Sequence, residues 1–203
     1  MGQGRLIFVE GVDGCGKTTL INNIKEKFGN DIYYFREPGS TPAGDKIREI
    51  LLDDTIKTNE LTDMMLYTAS RCELYKNYLE ELLEKNKIII LDRSVISTLV
   101  YQPMKYLFNN ELEKVKKLQD KIIEMNDFIN YKKVTIYYIK EDPNIIHERL
   151  LNRPDQLNKR DNIDTTIIHI MQNMYEYVLN HYFEHQYFNS KDISLEDVIR
   201  LYL

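Results

Sequence analysis

Glycine is sparse in this 203-residue chain and stops early: there are eight, and none follows Gly44. The Asp-x-x-Gly that accompanies the phosphate loop in GTP-driven switches therefore has no place outside the first glycine-rich loop. Cysteine is scarcer still, with Cys15 and Cys72 the only two. Two cysteines exclude a disulfide framework, and a bridge at Cys15 would obstruct the loop it sits in, so a reducing, cytoplasmic setting is expected. Positive charge is in the minority, 27 lysines and arginines against 32 aspartates and glutamates, for a net charge of -5. General nucleic-acid binders carry a basic excess, so no nucleic-acid partner is expected. No apolar run approaches the ~18 residues a membrane span needs. The opening Met1-Gly2-Gln3-Gly4-Arg5 leads straight into a short apolar run, which predicts no signal peptide. Small molecules are the expected partners.

What remains is an ordinary globular composition, 43% hydrophobic and 29% charged, at a length that suits one domain over 1–203. Short apolar runs recur at 6–9, 32–35, 88–91 and 134–139, with a further strand at 187–189, and stretches of helical periodicity separate them. That alternation predicts an α/β fold, a five-stranded parallel sheet with helices on both faces in three α/β/α layers. Helices are expected over 44–52 and 62–84, within 96–128 with a break near Phe108-Asn109-Asn110, from Pro143, over 163–183, and from Leu195. The segment 152–162 carries Arg153, Lys159 and Arg160 without apolar periodicity, and reads as a mobile basic loop.

The most informative stretch is Gly11-Val12-Asp13-Gly14-Cys15-Gly16-Lys17-Thr18, set between the strand at 6–9 and an apolar-periodic run at Leu20, Ile21 and Ile24. Strand, glycine loop and helix in that order form a phosphate-binding loop. Glycines let backbone N–H groups curl around phosphate oxygens, and the helix N-terminus adds a favourable dipole. Lys17 reaches the β- and γ-phosphates, and the Thr18 hydroxyl suits magnesium. The run 88–91 ends in Asp92, a second position for magnesium or its water shell, and Arg93 follows it. Arg36 follows the strand at 32–35. Ligands of open parallel sheets lie beyond the carboxyl ends of the strands, which puts both arginines near a transferred phosphate.

Four ordered segments resemble the thymidylate kinase family. They are Gly11 to Thr18 with Thr19; Arg36-Glu37-Pro38-Gly39-Ser40-Thr41-Pro42 continuing to Ile47-Arg48; Leu66-Tyr67-Thr68-Ala69-Ser70-Arg71; and Asp92-Arg93 with Ser97-Thr98-Leu99-Val100-Tyr101-Gln102. The resemblance implies a P-loop NTPase-type fold with a short lid near 152–162, a homodimer, and transfer of the γ-phosphoryl of ATP to dTMP with Mg2+. It implies an acceptor site within 36–102, where Arg36 and Arg93 clamp the monophosphate, as planar bidentate donors do. Asp13 would accept from the sugar 3′-hydroxyl, and Tyr67 would stack on the pyrimidine. Arg71 would donate to the base O4, with Ser97, Thr98 and Gln102 in the same segment and Thr98 and Gln102 by the N3 and O4 edge. Tyr101 would crowd the 2′ position, and Glu37 and Arg48 would line the pocket. Gly14 stands where some members carry a catalytic arginine, so the resemblance points to lid cations, Arg153 and Arg160, with Lys159 in reserve.

The chain departs from the family pattern at Ser94, where tyrosine is usual after Asp-Arg, at Tyr131-Lys132-Lys133, where Pro-Asp is usual, and at Pro103, where glycine follows the glutamine. An altered acceptor pocket is expected. One methyl is worth only ~1–3 kcal/mol to a pocket, so dUMP is an expected second acceptor. A broader deoxynucleoside-monophosphate kinase or a deoxynucleoside kinase shares the loop, Asp92 and Arg93; only a phosphorylated acceptor uses Arg36. Two other patterns are decoys. Asn158-Lys159-Arg160-Asp161 spells a guanine-reading motif but does not cap an apolar strand, and His181-Tyr182-Phe183-Glu184-His185 spells an inverted zinc-peptidase motif with few residues after it for a further ligand.

Overall fold

The computed structural model describes residues 4–152, 164–184 and 187–203. Strands β1 (Arg5–Glu10), β3 (Ile88–Asp92) and β4 (Val134–Tyr138) are buried almost end to end. Continuous apolar runs of this kind belong to strands covered on both faces. The edges are β2 (Ile32–Arg36) and β5 (Tyr187–Asn189), both more exposed. All pairings are parallel, in the order β2-β3-β1-β4-β5. The register sets Arg36 beside Asp92 and Asp92 beside Val9, so β2 and β3 end level and β1 runs one residue further, to Glu10. Two backbone bonds hold the residues that follow: Glu37 N–H to the Asp92 carbonyl at 2.9 Å, and Arg93 N–H to the Val9 carbonyl at 3.2 Å.

The helices flank this sheet. After β1 comes α1 (Lys17–Phe28), which buries Ile21 and Ile24. After β2 come α2 (Pro42–Leu52) and α3 (Glu60–Leu74). Thr41 caps α2 by accepting the Gly44 N–H at 2.8 Å, and Pro42 occupies the first turn, where its missing N–H costs nothing. The helix expected over 62–84 has a wider turn inside it: α3 passes through a π-helical segment, Tyr75–Leu79, before α4 (Glu80–Glu84). That segment buries both Tyr75 and Leu79, an i,i+4 pair that an ordinary helix would also set on one face.

Between β3 and β4 lie α5 (Val95–Tyr101), α6 (Met104–Phe108) and α7 (Leu112–Met125). The break at Asn109-Asn110 falls where the sequence places it, and a second arises at Pro103, which precedes α6. Proline has no N–H to give the preceding turn, so α5 stops short. After β4, α8 (Pro143–Leu151) is followed by α9 (Thr165–Tyr182), capped by Asp164, and α10 (Leu195–Arg200) ends the fold. One hydrophobic core, from Leu6 to Ile199, joins sheet and helices.

Candidate active site

A cleft of ≈ 1090 Å³ opens at the carboxyl ends of β1, β2 and β3. Its floor is the loop from Gly11 into α1. Gly16 enters the helix at φ 102°, and a side chain at Gly11, φ 150°, would meet the Ile139 carbonyl oxygen at 2.7 Å. Both positions need the freedom that only glycine has. Val12 and Cys15 are buried beneath the loop, Gly14 is half-buried, and Thr18 and Thr19 face outward at the start of α1. Lys17 is 7% exposed, and its Nζ donates to the Gly11 carbonyl at 2.8 Å and the Val12 carbonyl at 3.0 Å. Burial, reinforced by the neighbouring Arg93 cation, pulls the lysine pKa down. An anion arriving in the cleft favours the charged lysine and so opposes both effects. Burial pushes the Cys15 thiol up, which leaves it a packing residue rather than a nucleophile.

The wall opposite Lys17 is cationic. Arg36, at the end of β2, is exposed to the cleft, and among the described residues its guanidinium has no hydrogen-bond or ion-pair partner. Arg48 reaches in from α2 and is tethered by a bond from Nη1 to the Pro38 carbonyl at 3.1 Å. Burial and then the Arg36 cation depress its pKa. Arg93 holds a left-handed backbone at φ 67°, unusual for a residue with a side chain. It forms an ion pair with Asp13, donates to Ser97 Oγ at 2.9 Å, and lies 5.3 Å from the Tyr101 ring centre. Tyr101 in turn donates to Asp13 at 3.4 Å.

Of the residues singled out from sequence, the phosphate loop from Asp13 to Thr19, Arg36, Glu37, Arg48, Asp92 and Arg93 line this one cleft, while Gly11, Val12, Ser97 and Tyr101 do not. Thr98 and Arg71 lie behind its wall. Arg71 is 2% exposed and engaged three times: Nε to Glu37 at 2.6 Å, Nη1 to Asn126 Oδ1 at 2.8 Å and Nη2 to Thr98 Oγ1 at 2.9 Å. It ties β2, α3, α5 and α7 together from inside, and two of its five N–H donors are left over. Burial pushes the Glu37 carboxyl up, against the pull of Arg71. Tyr67, on α3, and Gln102, after α5, are half-buried and off the cleft lining. Arg153, Lys159 and Arg160, the expected lid cations, lie outside the described residues, as do His185 of the peptidase-like pattern and the whole Asn158–Asp161 pattern.

Several site residues carried no sequence signal strong enough to find them. Arg149 of α8 reaches the loop, with Nη1 3.4 Å from the Gly14 carbonyl and Nη2 3.1 Å from Glu141. Glu10, fully buried at the end of β1, accepts from Ser94 Oγ and Ser97 Oγ, each at 2.7 Å, and from Tyr175 at 3.2 Å. A carboxylate ending an apolar strand was the available clue, the same one that marked Asp92. Ser94 thus has a structural task, bonding Glu10 while capping α5. Asn126 joins Arg71 from the C-terminal end of α7, where nothing in the sequence sets it apart.

Asp92 bears on a metal. Its Oδ1 is buried and has no hydrogen-bond partner among the described residues, an uncompensated state for a carboxylate oxygen, and Asp92 adjoins the phosphate loop on the cleft wall. A hard cation sharing Asp92 and the Thr18 hydroxyl, with phosphate oxygens and water completing its shell, fits this donor set. Among the described residues no group of three or more histidines, cysteines or carboxylates could cage a metal on its own, and no helix is long and apolar enough to cross a membrane.

The chain is similar to known proteins along most of its length. A thymidylate kinase of Thermoanaerobacter sp. (strain X514) is 44% identical over 117 residues, which are 56% of this chain and 57% of that one. The chain thus spans little more than half the length of this relative. The crystal structure of thymidylate kinase from Ehrlichia chaffeensis has the same fold, with a TM-score of 0.63 at 22% identity over 98% of this chain and 99% of that one. Thymidylate kinase from Candida albicans superimposes with a TM-score of 0.70 at 20% identity, covering 99% and 93% of the two chains. The family model for thymidylate kinase matches residues 9–198, nearly the full length, and the chain belongs to that family.

Proposed function

We propose that this protein transfers the γ-phosphoryl group of ATP to the 5′-phosphate of dTMP, giving dTDP and ADP. The observation that carries this reading is one cleft with a phosphate loop and Lys17 on one side and Arg36, Arg48 and Arg93 on the other. Two anions meeting there are gripped from both ends. A dTMP phosphate oxygen attacks the γ-phosphorus as the bond to the β–γ bridging oxygen breaks, and ADP leaves. The attacking oxygen is already anionic, so no base and no protein nucleophile are needed. Catalysis comes from alignment and from cations that match the spread of charge.

Lys17 leaves its two carbonyls for the donor phosphates, while Arg36 and Arg93 hold the acceptor phosphate. Asp13 and Tyr101, bonded to each other beside Arg93, set the place of the sugar, and Arg71 presents its spare donors toward the base. Arg149 steadies the phosphate loop, and the resemblance assigns further positive charge to Arg153 and Arg160, which lie outside the described residues. Thr18 and Asp92 would hold Mg2+, which would further neutralise the donor phosphates. The protein acts in the cytoplasm as a homodimer, a state supported by exposed Ile50, Leu52, Leu61 and Met65 on α2 and α3. A nucleoside acceptor would leave Arg36 without an anion, which disfavours a deoxynucleoside kinase.

ADP release from ATP and Mg2+ against dTMP, dUMP, dCMP, dGMP, UMP and thymidine tests the assignment. Turnover with dTMP foremost, dUMP behind it and no turnover of thymidine is expected. A preference for thymidine over dTMP, or for a purine monophosphate, contradicts it.

A further inference from the structure

Tyr175, on α9, is fully buried, yet its hydroxyl reaches the phosphate loop. It lies 3.2 Å from the Gly11 carbonyl oxygen, 3.2 Å from Glu10 Oε2 and 3.1 Å from Ser97 Oγ. Its ring is fixed between Tyr138, stacked at 5.4 Å, and the edge of Tyr101 at 6.4 Å. The hydroxyl oxygen therefore stays in place while its proton turns. A phenol has one proton, so it serves one of these oxygens at a time.

The Gly11 carbonyl is the same oxygen that Lys17 Nζ holds at 2.8 Å. A lysine that moves to a phosphate must leave it, and a buried acceptor that loses its donor is destabilised. Tyr175 is the hydroxyl in position to replace it. On its other side, Ser97 Oγ donates to Glu10 Oε2 at 2.7 Å and accepts from Arg93 Nη1 at 2.9 Å. Once the phenol proton turns to Gly11, Glu10 Oε2 is left to Ser97, that bond strengthens, and the polarised Ser97 oxygen becomes a better acceptor for Arg93.

We propose that Tyr175 is a positioning residue that couples the two halves of the cleft: nucleotide binding at the phosphate loop draws Lys17 off Gly11, and the change passes through Tyr175, Glu10 and Ser97 to fix Arg93 for the acceptor phosphate. This coupling rests on the two-anion reading above. It makes the donor nucleotide an enhancer of acceptor binding, through side chains that touch neither substrate except at the two ends.

Calorimetric titration of dTMP with and without a saturating non-hydrolysable ATP analogue and Mg2+ gives the coupling factor directly. In the wild type the analogue should tighten dTMP about fivefold or more, the lower range for coupled sites. Tyr175→Phe keeps the ring packing and removes only the hydroxyl, and should bring the factor to within about twofold of unity. Ser97→Ala cuts the relay at its far end and should do the same, with the double variant losing no more than either single one. Because Tyr175→Phe leaves the ring in place, loss of the factor in that variant reads the hydroxyl rather than the packing. If Tyr175→Phe does not fold, Ser97→Ala carries the test. Either variant retaining the wild-type factor, or a wild type whose dTMP affinity ignores the analogue, overturns the coupling. A wild type that binds the analogue and no dTMP overturns the two-anion reading itself.

Discussion

Arg93 and Arg36 show how differently two arginines at strand ends can be held. Arg93 sits in a left-handed backbone conformation and is restrained by Asp13, Ser97 and the Tyr101 ring. A backbone of this kind persists where the surroundings over-determine it, commonly at functional sites. Arg36 is exposed to the cleft and unpaired among the described residues, so its charge is not spent on the fold. Arg36→Ala should therefore leave the melting temperature near that of the wild type and raise KM for dTMP roughly tenfold to a hundredfold, the worth of a charge-assisted contact. KM for ATP should move far less. Steady-state kinetics decide it, and an unchanged KM for dTMP would remove Arg36 from the acceptor clamp. At this scale the sequence was legible where a motif fixes the backbone, as at Gly11, Gly16 and Lys17, or where a charge ends a strand, as at Arg36 and Asp92. It named Arg71 but not the three buried partners that hold it, which come from separate parts of the chain, and it missed Tyr175, whose ring looks like any apolar residue of α9.

Elements position these groups through their ends. The α2 cap illustrates it: Thr41 Oγ1 on the Gly44 N–H fixes the entry of the helix that carries Arg48. Thr41 is buried, so Thr41→Ala leaves that donor unanswered and should cost about 1 kcal/mol, a fall in melting temperature of roughly 2–4 °C for a domain of this size. Thr41→Ser should recover most of it. Equal melting temperatures for all three proteins, followed by circular dichroism, would show that the cap is idle. Strand positions were readable because central parallel strands are unbroken apolar runs. The π-helical segment at Tyr75–Leu79 and the break at Pro103 were less so. The first gives apolar spacings that an ordinary helix also tolerates, and the second lies inside a stretch whose periodicity resumes at once.

The whole molecule is a parallel sheet whose neighbouring strand ends build the cleft and whose core buries Tyr75, Tyr137, Tyr138 and Tyr175. Burial pushes the Tyr75 hydroxyl up to about 12. A raised phenol pKa means that the neutral form is favoured by the folded state. Its stabilising share is complete below the unfolded value near 10 and is lost as pH climbs through about 12, on the order of 2 kcal/mol in all. Tyr101, Tyr131, Tyr138 and Tyr175 are pushed the same way. Thermal melts from pH 9 to pH 12 should fall steeply in the wild type and less steeply in Tyr75→Phe; identical slopes would dismiss Tyr75 as a contributor.

The central claim is that two anions occupy one cationic cleft, end to end. Inhibition by a single compound joining adenosine to thymidine through five phosphates tests it most directly. Such a molecule should compete with ATP and also with dTMP, because it fills both halves at once. Competition with one substrate only, the other leaving inhibition undiminished at saturation, would contradict the account.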